Sequence, residues 1–139
     1  MKSVNPYLNF KGNAEEAFNF YQSVFGGELS IVRFKDLEDN MGATGDELNK
    51  IANVTLPIGA ETLLLGSDAL GTWGESFQRG NDFYINLEPE NPEEAKQLFE
   101  KLSEGGQIEM PLQKTEWAEY FGMCSDPFGI RWMVNFEGK

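Results

Sequence analysis

The chain has 139 residues, 40% of them hydrophobic and 13% aromatic, enough for a packed interior and too apolar for a disordered chain. A net charge of −12, with only 11 scattered Lys and Arg, excludes the clustered basic surface that nucleic-acid backbones require. No apolar run approaches the ~20 residues of a membrane span and the N-terminus lacks an apolar leader core, so a cytoplasmic protein without a membrane partner is expected.

In chain order, "VNPYLNF" alternates like a strand and is followed by "KGN". Asn13 is a candidate helix cap, and Glu16 three residues on completes a capping-box pattern. Ala14, Ala17, Phe18, Tyr21, Val24 and Phe25 then recur at helical spacing until Gly26-Gly27 stops the helix. "ELSIVRF" reads as a strand. After a polar loop, "KIANVTLPI" and "ETLLLGSD" read as two more, joined by a tight turn at Gly59-Ala60. "ALGTWGESFQRGN" is Gly-rich and polar and reads as a linker.

The same order then returns. "FYINL" is a strand, Asn91 caps, Pro92 takes the first helical position and Glu94 completes the box. Ala95, Leu98, Phe99 and Leu102 form the apolar stripe, and Gly105-Gly106 ends it. "QIEMPLQ", "EYFGMCSD" and "IRWMVNF" follow as strands, the last two joined by a turn at "DPFG". Tyr7-Leu8-Asn9 recurs as Tyr84-Ile85-Asn86. The chain is therefore expected to be α+β, a single domain (1–139) of two βαβββ modules: module one at about 1–68, a linker at about 69–80 and module two at about 81–139. One helix covers only one face of a four-stranded sheet. The other face of each is expected to meet its counterpart or a partner chain.

Strand alternation divides the residues between those faces. Leu8 and Phe10, Ala52, Val54 and Leu56, Ile85 and Leu87, and Trp132, Val134 and Phe136 are expected beneath the helices. That leaves Asn5, Tyr7, Asn9, Asn53, Thr55, Tyr84, Asn86, Glu88, Arg131, Met133 and Asn135 on the other side. The amides donate and accept hydrogen bonds without titrating. Such a surface suits a neutral or anionic polar molecule, with Arg131 as its only cation. Trp73 and Trp117, in loop-like contexts, either close over such a ligand or simply pack.

Other chemistry is limited by what the chain lacks. It has no histidine, so neither an imidazole metal ligand nor a Ser-His or Cys-His nucleophile pair is possible. Cys124, the one cysteine, cannot form an internal disulfide and reads as an inert packed thiol. No glycine-rich loop joins a strand to a helix as a phosphate or dinucleotide cradle requires.

"PYLNFKGNAEEAFNFYQSVFGGEL", "ETLLLGSD" and above all "DPFGIRWMVN" resemble the PhnB-like branch of the vicinal oxygen chelate superfamily, which includes glyoxalase I, extradiol dioxygenases and the bleomycin resistance proteins. The resemblance spans nearly the whole chain. It implies a glyoxalase-like fold with facing, curved mixed sheets, a cleft between them, and a homodimer. It also places the superfamily's metal-ligand positions at Asn5, near Leu64, between Asp82 and Tyr84, and near Met133, where a neutral amide, an alkyl group and a thioether make a poor site for Zn, Ni or Fe and leave only a hard cation on Asp82 and carbonyls open. The expectation is thus a metal-free, cofactor-free protein that binds a small polar or aromatic molecule through Asn5, Tyr7, Asn53, Tyr84, Asn86, Trp117, Arg131 and Met133. These residues lean against catalysis. The alternative, carried by the fold resemblance alone, is a metal-dependent lyase, isomerase, thiol transferase or dioxygenase.

Overall fold

Alternation and helical spacing become two separate sheets with one long helix on each in the computed structural model, which describes residues 1–138. The chain divides into two compact units, residues 1–78 and the residues from Arg79 onward. The first contains β1 (Tyr7–Phe10), α1 (Ala14–Phe25), β2 (Ser30–Arg33), β3 (Ile51–Ile58), β4 (Thr62–Asp68) and a one-turn helix, α2 (Gly71–Glu75). The second contains β5 (Ile85–Leu87), α3 (Pro92–Ser103), β6 (Gln107–Gln113), β7 (Tyr120–Ser125) and β8 (Arg131–Phe136). Both sheets are mixed and share one order, β1-β4-β3-β2 and β5-β8-β7-β6, with the first strand parallel to the last in each. This is the α+β arrangement of two repeated modules expected from the sequence.

In the first unit the helix stripe does what its spacing requires. Ala14, Ala17, Phe18, Tyr21 and Val24 are buried, and Phe18 stacks edge-on against both Phe10 and Tyr21. Each large apolar side chain removed from water in this way contributes roughly 1.5–3 kcal/mol. Gly66 shows which sheet face lies under α1, because a Cβ there would sit 2.6 Å from Phe18 Cε1 and 2.9 Å from the Leu8 carbonyl oxygen. Leu8, Gly66 and Val54 lie in register and share that face. The alternation slips at one point. A bulge between Val32 and Arg33 pairs Arg33 with Ile51, so Ile51 is fully buried where Ala52 was expected to be.

One further expectation is corrected. Asn13 forms no side-chain cap, and Glu16 completes no box with it. The carboxylate of Asp68, at the end of β4, takes over: Oδ1 accepts from the Gly12 and Ala14 amides at 3.0 and 2.9 Å, and Oδ2 from Ile51 N at 2.9 Å. An ionised acceptor satisfies the first amides of the helix more strongly than a neutral carboxamide and complements the positive end of its dipole. The stretch read as a plain polar linker holds α2, and Ala69 and Gly74 within it are buried.

In the second unit Asn91 caps α3 as expected, its side chain accepting from Glu94 N at 2.8 Å, while the Glu94 side chain reaches the Glu90 amide. Ala95, Phe99 and Leu102 are buried. Gly122 marks the face under α3, with a Cβ position 2.7 Å from Phe99 Cε1. Gly122 pairs with Val134, and Val134 with Leu87, so these three share it. The "DPFG" turn closes through Gly129, whose amide donates to the Asp126 carbonyl at 3.0 Å in a left-handed conformation that glycine adopts freely. Buried Asp126 organises the turn. It accepts from the Phe128 and Ile130 amides and from the Trp132 indole. Among the described residues, no helix is long and apolar enough to cross a membrane.

Candidate functional site

The face of each sheet away from its helix follows from the register. In the first unit Tyr7 pairs with Leu65, Asn9 with Ser67 and Thr55 with Leu65, placing all of them opposite Leu8, Val54 and Gly66. Asn53 pairs with Val32 and lies on the same side. Of the expected site residues, Tyr7 is 45% exposed and Asn53 is half-buried, with its Oδ1 facing the Thr55 hydroxyl at 3.4 Å. Asn5 precedes the strand. Its Oδ1 accepts from Leu63 N at 2.9 Å and its Nδ2 donates to Ser3 Oγ, so it extends the β1–β4 ladder by one step. Leu64, near one of the superfamily's metal positions, is fully buried on the helix side; its neighbours Leu63 and Leu65 take the opposite face.

In the second unit Asn86 pairs with Met133, Met133 with Met123, Arg131 with Ser125, and Asn135 with Phe121. These residues lie opposite Gly122, Val134 and Trp132. Tyr84 and Arg131 meet at one end of this face, together with Glu109 of β6, which the sequence reading did not single out. Arg131 Nη2 donates to Tyr84 Oη at 2.7 Å and to Glu109 Oε1 at 2.6 Å, and the guanidinium carbon lies 4.8 Å from the Tyr84 ring centre. Tyr84 also hydrogen-bonds Glu109 directly. The Tyr84 hydrogen bond first, and then the Glu109 charge, hold the Arg131 guanidinium above its ordinary range, although partial burial opposes them. The Arg131 and Glu109 side chains are only 23% and 22% exposed, so solvent screens their pair incompletely. Alternation along "QIEMPLQ" was the available signal for Glu109, but register shifts along β6, between Ile108 and Met110 and again before Gln113, spoil it.

Some polar atoms in these units are buried without a partner. Ser67, 2% exposed, has an unpaired Oγ, and so do Asn135 Oδ1 and Arg131 Nε. Buried polar groups are nearly always satisfied in folded proteins, so such atoms mark places where a water or ligand group is wanted.

Two open depressions lie elsewhere. One, of about 830 Å³, runs beside the start of α1 past Glu15, Arg33, Asp46 and Lys50. Arg33 is already bound there in a two-pronged pair with Glu15 at 2.8 and 3.0 Å. The other, about 790 Å³, holds Trp117, which is 58% exposed and stacks edge-on against Phe121 at 5.3 Å. Of the eight expected site residues, only Trp117 lines either depression.

The donor sets limit cofactor chemistry. Among the described residues no three His, Cys, Asp or Glu side chains gather as a metal-ligand group. Cys124 is fully buried, and burial first, then the Asp126 and Glu109 charges, push its thiol up to about 12. It therefore stays protonated and unreactive at neutral pH.

Residues 2–135 match a family model described as 3-demethylubiquinone-9 3-methyltransferase. The chain is 30% identical over 141 aligned positions to the protein YjdN of Escherichia coli, covering 95% of this chain and 93% of the relative. Among solved structures it is similar to protein PA1353 of Pseudomonas aeruginosa, with TM-score 0.80 and 36% identity over 97% of this chain and 98% of that one. It is also similar to a PhnB protein of Bacillus cereus, with TM-score 0.76 and 26% identity over 96% and 98%. Glyoxalase-related structures at 15–16% identity share the fold.

The methyltransferase description calls for a test against adenosylmethionine. Glycine-rich strand-to-helix loops hold such nucleosides through free backbone amides. Here the β1–α1 connection is only Lys11-Gly12-Asn13, and the Gly12 and Ala14 amides are taken by Asp68. At this connection the Gly12 and Ala14 amides are therefore not free to hold that cofactor.

Proposed function

Because the chain belongs to the PhnB-like family with the glyoxalase/bleomycin resistance/dioxygenase fold, we propose that it is a metal-free binder of a small polar or aromatic molecule, held against one of the amide-bearing sheet faces opposite the helices. The observation that carries this reading is the register. It gathers Asn9, Asn53 and Ser67 on one such face and Asn86, Asn135 and Met133 on the other. Buried polar atoms without partners at Ser67 and Asn135 support it, since a ligand's hydrogen-bonding groups would satisfy them. Met123 and Met133 add adaptable apolar surface for the body of such a molecule. The homodimer belongs to the same proposal.

Two measurements on one preparation test it. Protein purified without chelator is expected to carry far less than one equivalent of divalent metal. Its melting temperature is expected to rise with at least one member of a metabolite and antibiotic panel. Stoichiometric metal, or turnover of a panel member without any stabilising ligand, contradicts the proposal.

A further inference from the structure

We infer that the helix-free face of the second unit selects an uncharged ligand over a carboxylate, and that Glu109 is the residue that sets this preference. The inference rests on the ligand-binding reading above and gives its chemical class. Arg131 is the only Lys or Arg in strands β5 to β8, so any anion on this face would turn to it. Its charge is already paired with Glu109. Nη2 donates at 2.6 Å to Glu109 and at 2.7 Å to Tyr84, the guanidinium carbon lies 4.8 Å from the Tyr84 ring centre, and Nε alone is left as a buried donor without a partner.

An incoming carboxylate must therefore displace Glu109 from its pair with Arg131 or sit beside its negative charge. Both options are unfavourable. An uncharged amide or carbonyl meets no such penalty. It finds the carboxamides of Asn86 and Asn135 and the Ser125 hydroxyl beside the methionines. The chain's net charge of −12 adds a long-range field in the same direction.

Matched probes of the same shape separate charge from fit: benzamide against benzoate, and phenylacetamide against phenylacetate. Each is titrated into the full chain while the backbone amide resonances of Asn86, Ser125 and Met133 are followed by NMR. The amides are expected to shift these resonances, with the carboxylates at least about tenfold weaker. In Glu109→Gln the order is expected to narrow or invert, because the Arg131 charge becomes available. The dispersion of the variant's spectrum checks that it is folded. Carboxylates that bind this face as well as the amides, or discrimination unchanged in Glu109→Gln, overturn the inference and leave the proposed function standing. No response of these resonances to either class at millimolar concentration overturns the proposed function for this face, and the inference with it.

Discussion

Asp68→Ala is expected to destabilise the protein by about 3–5 kcal/mol, a large share of the stability of a domain this size. The carboxylate is 1% exposed and accepts three backbone hydrogen bonds, from Gly12, Ala14 and Ile51. Bonds to a charged acceptor are worth roughly 1.5–3 kcal/mol each, and truncation leaves buried amides unsatisfied besides. The loss falls at one junction, since these bonds tie the end of β4 to the start of α1 and the start of β3. Asp68→Asn keeps the shape but turns one oxygen into a donor facing a donor, so it is expected to lose about 2–3 kcal/mol. Urea unfolding followed by circular dichroism measures both. The midpoint is expected to fall with little change in slope. A loss below about 1 kcal/mol in Asp68→Ala would mean that Asn13, not Asp68, carries the cap.

Trp132→Ala is expected to be at least as damaging, at about 5 kcal/mol. The ring is fully buried on the α3 side of β8, and its indole nitrogen donates to Asp126 Oδ2 at 2.9 Å. Removing a buried Trp costs roughly 3–5 kcal/mol through lost contacts and the cavity left behind. Here it also deprives a carboxylate of a donor, and that carboxylate holds the Phe128 and Ile130 amides of the "DPFG" turn. Trp132→Phe separates the two contributions. It keeps most of the apolar volume and loses the indole bond, so about 2 kcal/mol is expected. If Trp132→Phe and Trp132→Ala prove equally destabilising, the hydrogen bond to Asp126 dominates over packing.

The order of elements was legible because two kinds of local signal agreed. Helical spacing fell between an N-terminal Asn and a paired glycine stop in both halves, and β6 spans "QIEMPLQ" as read. Face assignment followed in the regular strands: Leu8 and Phe10, Val54 and Leu56, and Trp132 and Val134 are all buried. It failed at Ile51, where a bulge shifts the alternation by one residue, and gave no warning of Glu109, which lies on the irregular β6.

Side-chain partners across long sequence separations were not legible either. The Asn13-x-x-Glu16 pattern is a local signature, but Asp68, fifty-four residues beyond Ala14, holds the helix start instead. Sequence spacing gives no hint of such a non-local acceptor. Arg131 was legible as a cation on the helix-free face, but its neutralisation depends on a residue two strands away in the sheet, with β7 between. For that reason the sequence reading admitted anionic ligands, whereas the paired geometry argues for uncharged ones.

The most direct test of the account is a crystal structure of this chain with a ligand that raises its melting temperature. The account predicts an uncharged molecule, with no metal beside it, lying against Asn86 and Met133 or against Asn53 and Ser67. A ligand seated in the depression beside Trp117, or one held through a bound metal ion, would contradict it.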